Sequence, residues 1–400
     1  MRIGLFTDTY YPQINGVATS VYLLKKYLDL QGHEVFVCTT SDPMATKPEK
    51  NTYRSSSLPF VSERRIGAFY SYRLAHLARL HKPEIIHTHT EFPLGIFGRT
   101  LAHELGIPHV HTYHTIYEDY THFIVKFGSL DTVAKAATRV MSRVFCNSAN
   151  EVIVPTQKVK DLLLSYKVER PIHILPTGIE IDRFNPKIYR RADITRERKR
   201  IGLLPEDRVL LNIGRVSEEK SLDEVIRYSA GLLRQDKNLK LVFIGNGPEL
   251  EEYKALAAEL KLSDQVIFAG ARPWDEIGLY YQIGDLFVSA SQSETQGLTY
   301  IESMAAGLPV IARRDPCLDH VISEGENGFM YDDEADYVKA VKKCLGDKRF
   351  YRSLQKGALK QAEHFSAAEF ARRMLSLYGD VMARFTTNII QSEEFYLGDQ

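Results

Sequence analysis

The sequence predicts an α/β protein with two doubly wound domains, and three observations support this fold class. The chain has 400 residues, 44% of them hydrophobic, which is enough to bury two separate cores. Short apolar segments alternate with amphipathic segments of helical length in both halves, as in parallel sheets covered by helices. A charged run at 190–200 separates the two series, and we place the domain boundary near residue 180.

The first half begins with a strand, a helix and a second strand. The helix is predicted at 17–31, where apolar residues from Val17 to Leu28 recur at helical spacing. Apolar runs, most of them ending at turn residues or in polar loops, predict the strands of this half at 2–7, 34–39, 85–90, 109–115, 151–155 and 172–176. This alternation is typical of an open parallel sheet.

The loop at 8–16 joins the first strand to the first helix. It ends in Asn15-Gly16, where a phosphate could meet helix-terminal N–H groups. A tight turn without a ligand would explain this pair equally well. A dinucleotide-binding site would have three glycines here, so the single glycine disfavours an NAD-dependent oxidoreductase.

The second half repeats the α/β rhythm and ends in a helix predicted at 365–385. Its strands are predicted at 209–214, 239–245, 266–270, 286–289 and 309–312. We therefore predict a first domain at 1–180, a second at 181–364, and a helix with a tail at 365–400.

Two carboxylates stand eight residues apart in the stretch 291–302, between a predicted strand and a predicted helix. Glu294 is expected in the loop and Glu302 in the first turns of the helix, with Gly297 allowing backbone N–H groups to approach a ligand. Such a cradle suits a sugar nucleotide. A surface helix that begins with an acid because of its dipole would show the same residues.

The stretch 214–221 follows another predicted strand. Ser221 and Glu224 predict a capping box, which places Lys220 beside the positive end of a helix at a cost of about 0.3–1 kcal/mol. An unfavourable cation at a strand end suggests that Arg215 and Lys220 hold a diphosphate. Two surface side chains without a partner would be the alternative. The turn Gly245-Asn246-Gly247-Pro248 is expected to border the same nucleotide.

Five histidines lie at the ends of two predicted strands, at positions 87, 89, 109, 111 and 114. Alternation places His109 and His111 on one face, and this pattern without a Cys or acidic partner set is weak support for zinc. His114 lies beyond its strand, where ligands bind in open α/β sheets, and is the better candidate. The four cysteines form no C-x-x-C pair, so we expect a reducing cytoplasm and no metal.

Charge is balanced overall but uneven along the chain. Residues 1–190 contain 23 Lys+Arg and 17 Asp+Glu, a balance of +6, which leaves −6 for the remainder and gives no bulk attraction to nucleic acid. The segment 63–82 is predicted as a helix on an anionic membrane, with 123–143 widening the basic face. An ordinary amphipathic helix docked on the sheet would look the same. The basic residues proposed to bind the membrane are Arg64, Arg65, Arg73 and Arg79.

Six of these segments, taken in order, resemble a retaining glycosyltransferase of family four. The resemblance covers nearly the whole chain and implies the GT-B fold, in which two Rossmann-like domains face a central cleft. The matching segments are Asn15-Gly16-Val17, Thr112-Tyr113-His114-Thr115, Pro176-Thr177-Gly178-Ile179-Glu180, Gly214-Arg215 with Lys220, Gly245-Asn246-Gly247-Pro248, and Glu294 to Glu302, which matches the E-x7-E signature.

The resemblance also implies roles for single residues. Gly16, Arg215 and Lys220 would contact the donor diphosphate. Glu294 would bind the 3- and 4-hydroxyls of the sugar, and Glu302 the ribose. The resemblance implies a catalytic set of His114, Arg215, Lys220 and Glu294, and further donor contacts from Asn246, Gly247, Gln296, Gly297 and Leu298. It also implies retention by front-face attack, and a last helix that crosses back to the first domain.

Within the family, the opening residues 7–20 and the basic first half are most similar to bacterial 1,2-diacylglycerol 3-α-glucosyltransferases, the monoglucosyldiacylglycerol synthases. These are peripheral membrane enzymes of glycolipid and lipoteichoic-acid anchor synthesis. The resemblance implies UDP-glucose, diacylglycerol and anionic membrane lipids as partners, at the inner face of the cell membrane. No tightly bound cofactor is expected, and no residue pattern addresses stimulation by Mg²⁺.

Other activities remain open at this point. A family member could use UDP-galactose or GDP-mannose, or a different lipid or a polysaccharide acceptor. A sugar-nucleotide epimerase can share the architecture, but it would need acid/base carboxylates in the first domain. A lipid-binding module without enzymatic activity would leave Arg215, Lys220, Glu294 and Glu302 unexplained.

Overall fold

The computed structural model describes residues 1–13, 15–59, 65–67, 69–118 and 128–398, with backbone only for 128–132 and 389–398. The described chain divides into two compact units. Unit 1 comprises Met1–Gly178 and Ala367–Gln400, and unit 2 comprises Ile179–Ser366.

Within its described residues, unit 1 has a seven-stranded parallel sheet and a small antiparallel hairpin. Its strands are β1 (Arg2–Phe6), β2 (Glu34–Thr40), β3 (Thr52–Ser55), β4 (Ser57–Pro59), β5 (Arg65–Gly67), β6 (Ile85–Thr88), β7 (His109–Thr112), β8 (Glu151–Val154) and β9 (Ile172–Ile174). Its helices are α1 (Gly16–Leu30), α2 (Tyr72–Leu80), α3 (Pro93–Leu105), α4 (Gly128–Asn147), α5 (Gln157–Ser165) and, from the last part of the chain, α14 (Ala367–Gly398).

Unit 2, all of whose residues are described, has a six-stranded parallel sheet. Its strands are β10 (Arg208–Ile213), β11 (Leu239–Ile244), β12 (Val266–Phe268), β13 (Leu286–Ser289), β14 (Val310–Arg313) and β15 (Gly328–Tyr331). Its helices are α6 (Ile181–Phe184), α7 (Arg191–Arg200), α8 (Leu222–Gln235), α9 (Leu250–Glu259), α10 (Ile277–Tyr281), α11 (Leu298–Ala305), α12 (Glu334–Gly346) and α13 (Lys348–Glu363), with short 3-10 turns at 186–188, 218–220 and 316–318.

Both sheets reverse their strand order at a central strand. The large sheet runs β3-β2-β1-β6-β7-β8-β9, and the sheet of unit 2 runs β12-β11-β10-β13-β14-β15. Ligands bind beyond the carboxyl ends of the strands at such a reversal. The loops that follow β1 and β6 in unit 1, and β10 and β13 in unit 2, are therefore the places to look for a site.

Helix α1 shows why the predicted elements form. Asn15 caps it, with its side-chain oxygen accepting from the Ala18 N–H at 2.9 Å. Val21, Leu24 and Leu28 are fully buried and belong to the same core cluster as Ile3 of β1. The cap and the apolar spacing thus fix the start and the buried face of this helix.

Among the described residues, the predicted helix at 63–82 is confirmed over Tyr72–Leu80 and wrong before it. Arg65–Gly67 instead forms β5, which pairs with β4. The Arg65 guanidinium donates to the Ser57 hydroxyl at 2.8 Å and to its carbonyl at 2.9 Å, and a Cβ on Gly67 would lie 2.3 Å from Leu94 Cδ2. These contacts hold an extended backbone. Arg64 lies outside the described residues.

Four of the described strands were not predicted: β3, β4, β5 and β15. β3 and β15 each lie at an edge of a parallel sheet, and β4 and β5 form the separate two-stranded hairpin. Among the described helices, none has the length and apolarity needed to cross a membrane.

Candidate functional site

The loop after β10 does not form the predicted capping box. Ser221 lies in the left-handed region at φ +48° and makes no side-chain cap hydrogen bond to α8. Glu224 instead accepts from the Arg313 guanidinium at 3.2 Å and from the Tyr331 hydroxyl at 3.0 Å. Glu224 therefore ties the start of α8 to β14 and β15, and Lys220 lies at the end of a separate 3-10 turn.

Lys220 and Glu294 form an ion pair. The Nζ–Oε1 distance is 2.5 Å, and the two side chains are 24% and 18% exposed. The Ser291 hydroxyl donates to the same carboxylate oxygen at 2.9 Å. The cation expected on the diphosphate and the carboxylate expected on the sugar thus contact each other directly.

Two serines join the loop after β13 to the loop after β10. Ser291 is buried, and Ser293 donates from its hydroxyl to the Glu219 carbonyl at 3.2 Å. The neighbouring Lys220 is held from the same side by Glu294. These serines were missed by sequence reasoning, although their position directly after a buried strand was a usable signal.

The start of α11 requires a glycine. Gly297 has φ +74°, and a Cβ at this position would lie 2.3 Å from Tyr300 Cδ2. The Tyr300 hydroxyl donates to the Ser289 hydroxyl at 2.9 Å, so the ring cannot move away cheaply. Gln296 is buried just before this turn, and Leu298 is the first residue of the helix.

Glu302 lies on α11, one turn before its end, and remains partly exposed. The Tyr281 hydroxyl donates to its Oε2 at 2.7 Å. Burial raises the pKa of the Glu302 carboxyl to about 7, against the opposing effects of the Tyr281 hydrogen bond and the charge of Arg183. The Arg183 guanidinium in turn lies 3.5 Å from the ring centre of Trp274.

The turn after β11 packs directly on the loop after β10. A Cβ on Gly245, at φ +155°, would lie 1.7 Å from the Gly214 carbonyl oxygen, and one on Gly247 would lie 1.9 Å from that of Val216. The exposed Asn246 accepts from the Gly247 N–H at 2.9 Å. Both glycines are explained by this close approach, and Arg215 is exposed on the loop beneath them.

The sequence-predicted residues thus fall into two groups. Unit 2 contains Arg215, Lys220, Asn246, Gly247, Glu294, Gln296, Gly297, Leu298 and Glu302, all in loops or helix starts at the carboxyl edge of its sheet or on α11. Unit 1 contains Gly16, the first residue of α1, and His114, two residues after β7.

His114 belongs to a cluster of imidazoles in unit 1. Its Nε2 lies 3.1 Å from Nδ1 of His89, and the His87 and His89 ring centres are 3.9 Å apart. Burial lowers the pKa of His114 to about 3 and holds that of His89 well below its usual range. Both rings are therefore uncharged at neutral pH.

Glu91 is a buried acid of this region that sequence reasoning missed. His111 Nε2 lies 3.1 Å from Glu91 Oε1, and the Tyr117 hydroxyl donates to the other oxygen. His109 and His111 both contact the Thr88 hydroxyl, in agreement with the predicted shared face. Across the part of the chain that is described, no three His, Cys, Asp or Glu side chains are grouped to hold a metal ion.

Comparison with known proteins identifies the family. Residues 14–183 match the family model for glycosyltransferase family 4, and residues 193–361 match that for glycosyl transferases group 1. The chain is 41% identical, over 86% of its length and 78% of the relative's, to the α-monoglucosyldiacylglycerol synthase of Streptococcus pneumoniae. This protein belongs to the family-four glycosyltransferases. The synthase of the same name from Acholeplasma laidlawii is 31% identical over 96% of this chain and 98% of the relative.

Solved structures of glycosyltransferases share the fold of this family member. Anabaena HepE in complex with UDP superposes with a TM-score of 0.75 at 18% identity, covering 95% of this chain and 100% of that one. Sucrose-phosphate synthase from Thermosynechococcus elongatus gives 0.75 at 21% identity, covering 96% and 99%. The glycosyltransferase therefore has the GT-B fold, and the family prediction is confirmed.

Proposed function

We propose that this glycosyltransferase transfers glucose from UDP-glucose to the free hydroxyl of 1,2-diacylglycerol, giving α-monoglucosyldiacylglycerol. The observation that carries the proposal is the 41% identity with the pneumococcal synthase over 86% of the chain. A second α-monoglucosyldiacylglycerol synthase, 31% identical, matches 96% of the chain. Both the donor unit and the acceptor unit fall within these matches.

The donor would occupy the loops of unit 2. Lys220 and Arg215 would offset the charge that grows on the diphosphate as it leaves, which is the kind of interaction that accelerates the chemical step. The Glu294 carboxylate would release Lys220 and accept hydrogen bonds from sugar hydroxyls instead, since a carboxylate oxygen accepts from either partner. Gly297 and Leu298 would present backbone N–H groups, and Glu302 would accept from the ribose.

The reaction would proceed by front-face attack. The acceptor oxygen would bond to C1 on the face from which UDP departs, the C1–O bond to phosphate would break, and the acceptor proton would pass to the leaving phosphate oxygen. In this scheme Glu294 is no nucleophile, which suits a carboxylate that accepts hydrogen bonds from Ser291 and from the sugar hydroxyls. The glycosidase mechanism, in which two carboxylates flank the scissile glycosidic bond, does not apply.

The acceptor would bind to unit 1, where His114 lies. The uncharged His89 and His114 side chains suit a neutral alcohol such as diacylglycerol better than a phosphate-bearing acceptor. Binding of diacylglycerol also requires access to a bilayer, and the proposed location is the inner face of the cell membrane, with anionic lipids as partners.

Exposed side chains on α2 and just before it support membrane contact, but through a different set of residues from the four arginines that the sequence predicted. Tyr72 is 85% exposed and Phe69 is 63% exposed. Arg73, which follows Tyr72 in α2, is exposed too. Arg65 is held by Ser57, and Arg79 pairs with Glu104 at 2.6 Å, so both have partners within the protein. Arg73 with the two exposed rings is thus the proposed contact.

A second candidate function is transfer to a different acceptor. The chain is also 31% identical, over 77% of its length, to a D-inositol 3-phosphate glycosyltransferase of Acidothermus cellulolyticus. A phosphate-bearing acceptor would need cations in the acceptor unit.

Product analysis tests both candidates. Purified protein is incubated with single UDP- and GDP-sugars together with diacylglycerol, inositol phosphate or a lipid extract, and the products are identified by mass and by the anomeric coupling constant. We expect α-glucosyldiacylglycerol from UDP-glucose. A product with another acceptor would replace the proposal, and a changed UDP-sugar without any acceptor would indicate an epimerase.

A further inference from the structure

Tyr281 connects α10 to the proposed ribose carboxylate. Its side chain is 0% exposed, and its hydroxyl lies 2.7 Å from Glu302 Oε2 and 3.5 Å from the Thr299 carbonyl. Its ring packs edge-on against Phe184 of α6, with the centres 5.5 Å apart. Tyr281 lies on α10, and contacts with α6 and α11 hold its ring and its hydroxyl in place.

A second tyrosine–carboxylate pair lies next to the Tyr281–Glu302 pair and uses the same helix, α10. Tyr280 is also buried, and its hydroxyl donates to Glu197 of α7 at 3.0 Å, where Glu197 is itself buried. Glu302, by contrast, remains partly exposed, and the hydrogen bond from Tyr281 goes to one of its two oxygens, Oε2. A buried donor on one oxygen orients the other oxygen without consuming it.

We propose that Tyr281 is a positioning residue for the donor: by holding Oε2 of Glu302, it directs the carboxylate towards the ribose hydroxyls of UDP-glucose. The inference rests on the proposed function, in which Glu302 binds the ribose. It adds a residue outside the E-x7-E stretch, and it predicts how donor binding depends on pH.

The charged and titratable groups around Glu302 set the direction of that dependence. Tyr281 of α10 and Arg183 of α6 both favour the ionised carboxyl, while burial opposes it and raises the pKa to about 7. From α13, the apolar Ala358 and Ala362 belong to the same core cluster as α11. Ribose hydroxyls donate to the ionised form, so UDP affinity should rise with pH through about 7.

Removing the Tyr281 hydroxyl tests the inference. In Tyr281→Phe, the loss of a hydrogen bond to the charged form makes Glu302 harder to ionise. We expect the Kd of UDP, measured by calorimetry, to rise about three- to tenfold at pH 7 and to recover towards about pH 9. KM for UDP-glucose should rise with it while kcat changes little. Tyr280→Phe, which removes a similar buried bond from the same helix, is the matched control and should leave the pH profile unchanged.

The outcomes separate the inference from the function on which it rests. Equal pH profiles in the two Phe variants, or a loss in Tyr281→Phe that does not depend on pH, would overturn the positioning role. Wild-type UDP affinity in Glu302→Gln would overturn it together with the ribose assignment. The expected UDP profiles without glucosyl transfer to diacylglycerol would support the inference and reject the acceptor. Thermal melts of each variant exclude a folding defect as the cause.

Discussion

Lys220 and Glu294 would change partners when the donor binds. In the structure they pair with each other at 2.5 Å, so neither charge is left buried alone. With a donor, the diphosphate would replace the carboxylate on Lys220, and sugar hydroxyls would replace the ammonium on Glu294. The pair keeps the two side chains placed at the site, which reduces the ordering cost of donor binding.

Both members of this pair should be essential for transfer. We expect Lys220→Ala and Glu294→Gln each to lower kcat/KM for UDP-glucose by about 100-fold or more, because each removes a contact to the charge or the sugar of the transition state. Lys254→Ala is the control, since it breaks the exposed Lys254–Glu251 pair in the same unit. Near-normal activity of both site variants, with intact circular dichroism, would refute the site assignment.

Gly297 allows a comparison that separates backbone strain from packing. Gly297 and Gly325 have nearly the same φ, +74° and +75°, but a Cβ would meet the Tyr300 ring only at Gly297 and nothing within 4 Å at Gly325. We expect Gly325→Ala to cost about 1–2 kcal/mol in the free energy of unfolding and Gly297→Ala about 2–4 kcal/mol. Urea denaturation measures both free energies of unfolding. Equal losses in the two variants would show that the Tyr300 ring moves aside at little cost.

At the level of elements, α3 is capped by a residue from another element. Its own N-cap residue, Phe92, makes no side-chain cap, and the Leu94 N–H donates to both oxygens of Asp8, at 3.1 and 3.2 Å. The Thr90 hydroxyl donates to the same carboxylate at 2.7 Å. Asp8 thus joins β1 to the start of α3, a connection that no local sequence pattern indicates.

Asp8 should give unit 1 a stability that depends on pH. Burial raises the pKa of its carboxyl from 3.8 to about 6, so the folded protein binds this proton more tightly than the unfolded chain does. Stability should therefore fall as pH rises from about 4 through about 6. In Asp8→Asn this fall is absent, and its free energy of unfolding should gain about 1–3 kcal/mol on wild type between pH 4 and 7. Asp333→Asn, at the exposed cap of α12, is the control; a parallel profile in both variants would contradict the prediction.

The elements show which parts of this molecule a sequence can predict. The central strands and α1 were predicted because their apolar periodicity coincides with their burial. The hairpin of β4 and β5 was not, since it depends on Arg65 reaching Ser57 and on Gly67 packing against Leu94. At the site, the E-x7-E spacing indicated Glu294 and Glu302, but Ser291 and Tyr281 act through contacts that become visible only in three dimensions.

At the level of the whole molecule, α14 completes the core of unit 1. Its buried apolar face packs with α1 and the large sheet, and Arg384 forms a bidentate pair with the buried Glu151 at 2.7 and 2.9 Å. The side chains on this face are Phe370, Ala371, Met374, Leu377, Tyr378 and Val381.

Unit 2 should fold alone, and unit 1 should not fold without α14. A fragment of residues 179–366 retains both core clusters of its sheet. A fragment of residues 1–178 loses the α14 contacts, each large side chain of which is worth about 1.5–3 kcal/mol, a sum comparable to the whole stability of a domain. Soluble expression and cooperative melting test this. Adding the α14 peptide to the unfolded 1–178 fragment should restore its folding. Cooperative folding of 1–178 alone would instead show that α14 contributes little.

Binding of the intact protein to anionic vesicles should weaken with salt. The first 190 residues have a balance of +6, and exposed charges are screened within about 10 Å at 0.1 M salt. We expect Arg73→Ala to reduce binding several-fold at low salt, as one basic residue near the surface contributes about 1 kcal/mol. Lys254→Ala in unit 2 is the control. Binding that ignores both salt and Arg73 would assign α2 no role at the membrane.

The return of α14 to unit 1 also sets an order of events during synthesis. The large sheet of unit 1 is made first, but its core lacks the apolar face supplied by 370–381 until the whole of unit 2 has been translated. Unit 2 is contiguous in the chain and can fold while the large sheet of unit 1 is still incomplete. Unit 2 is therefore expected to fold before unit 1 is complete, and the incomplete large sheet is the intermediate that exposes the most apolar surface.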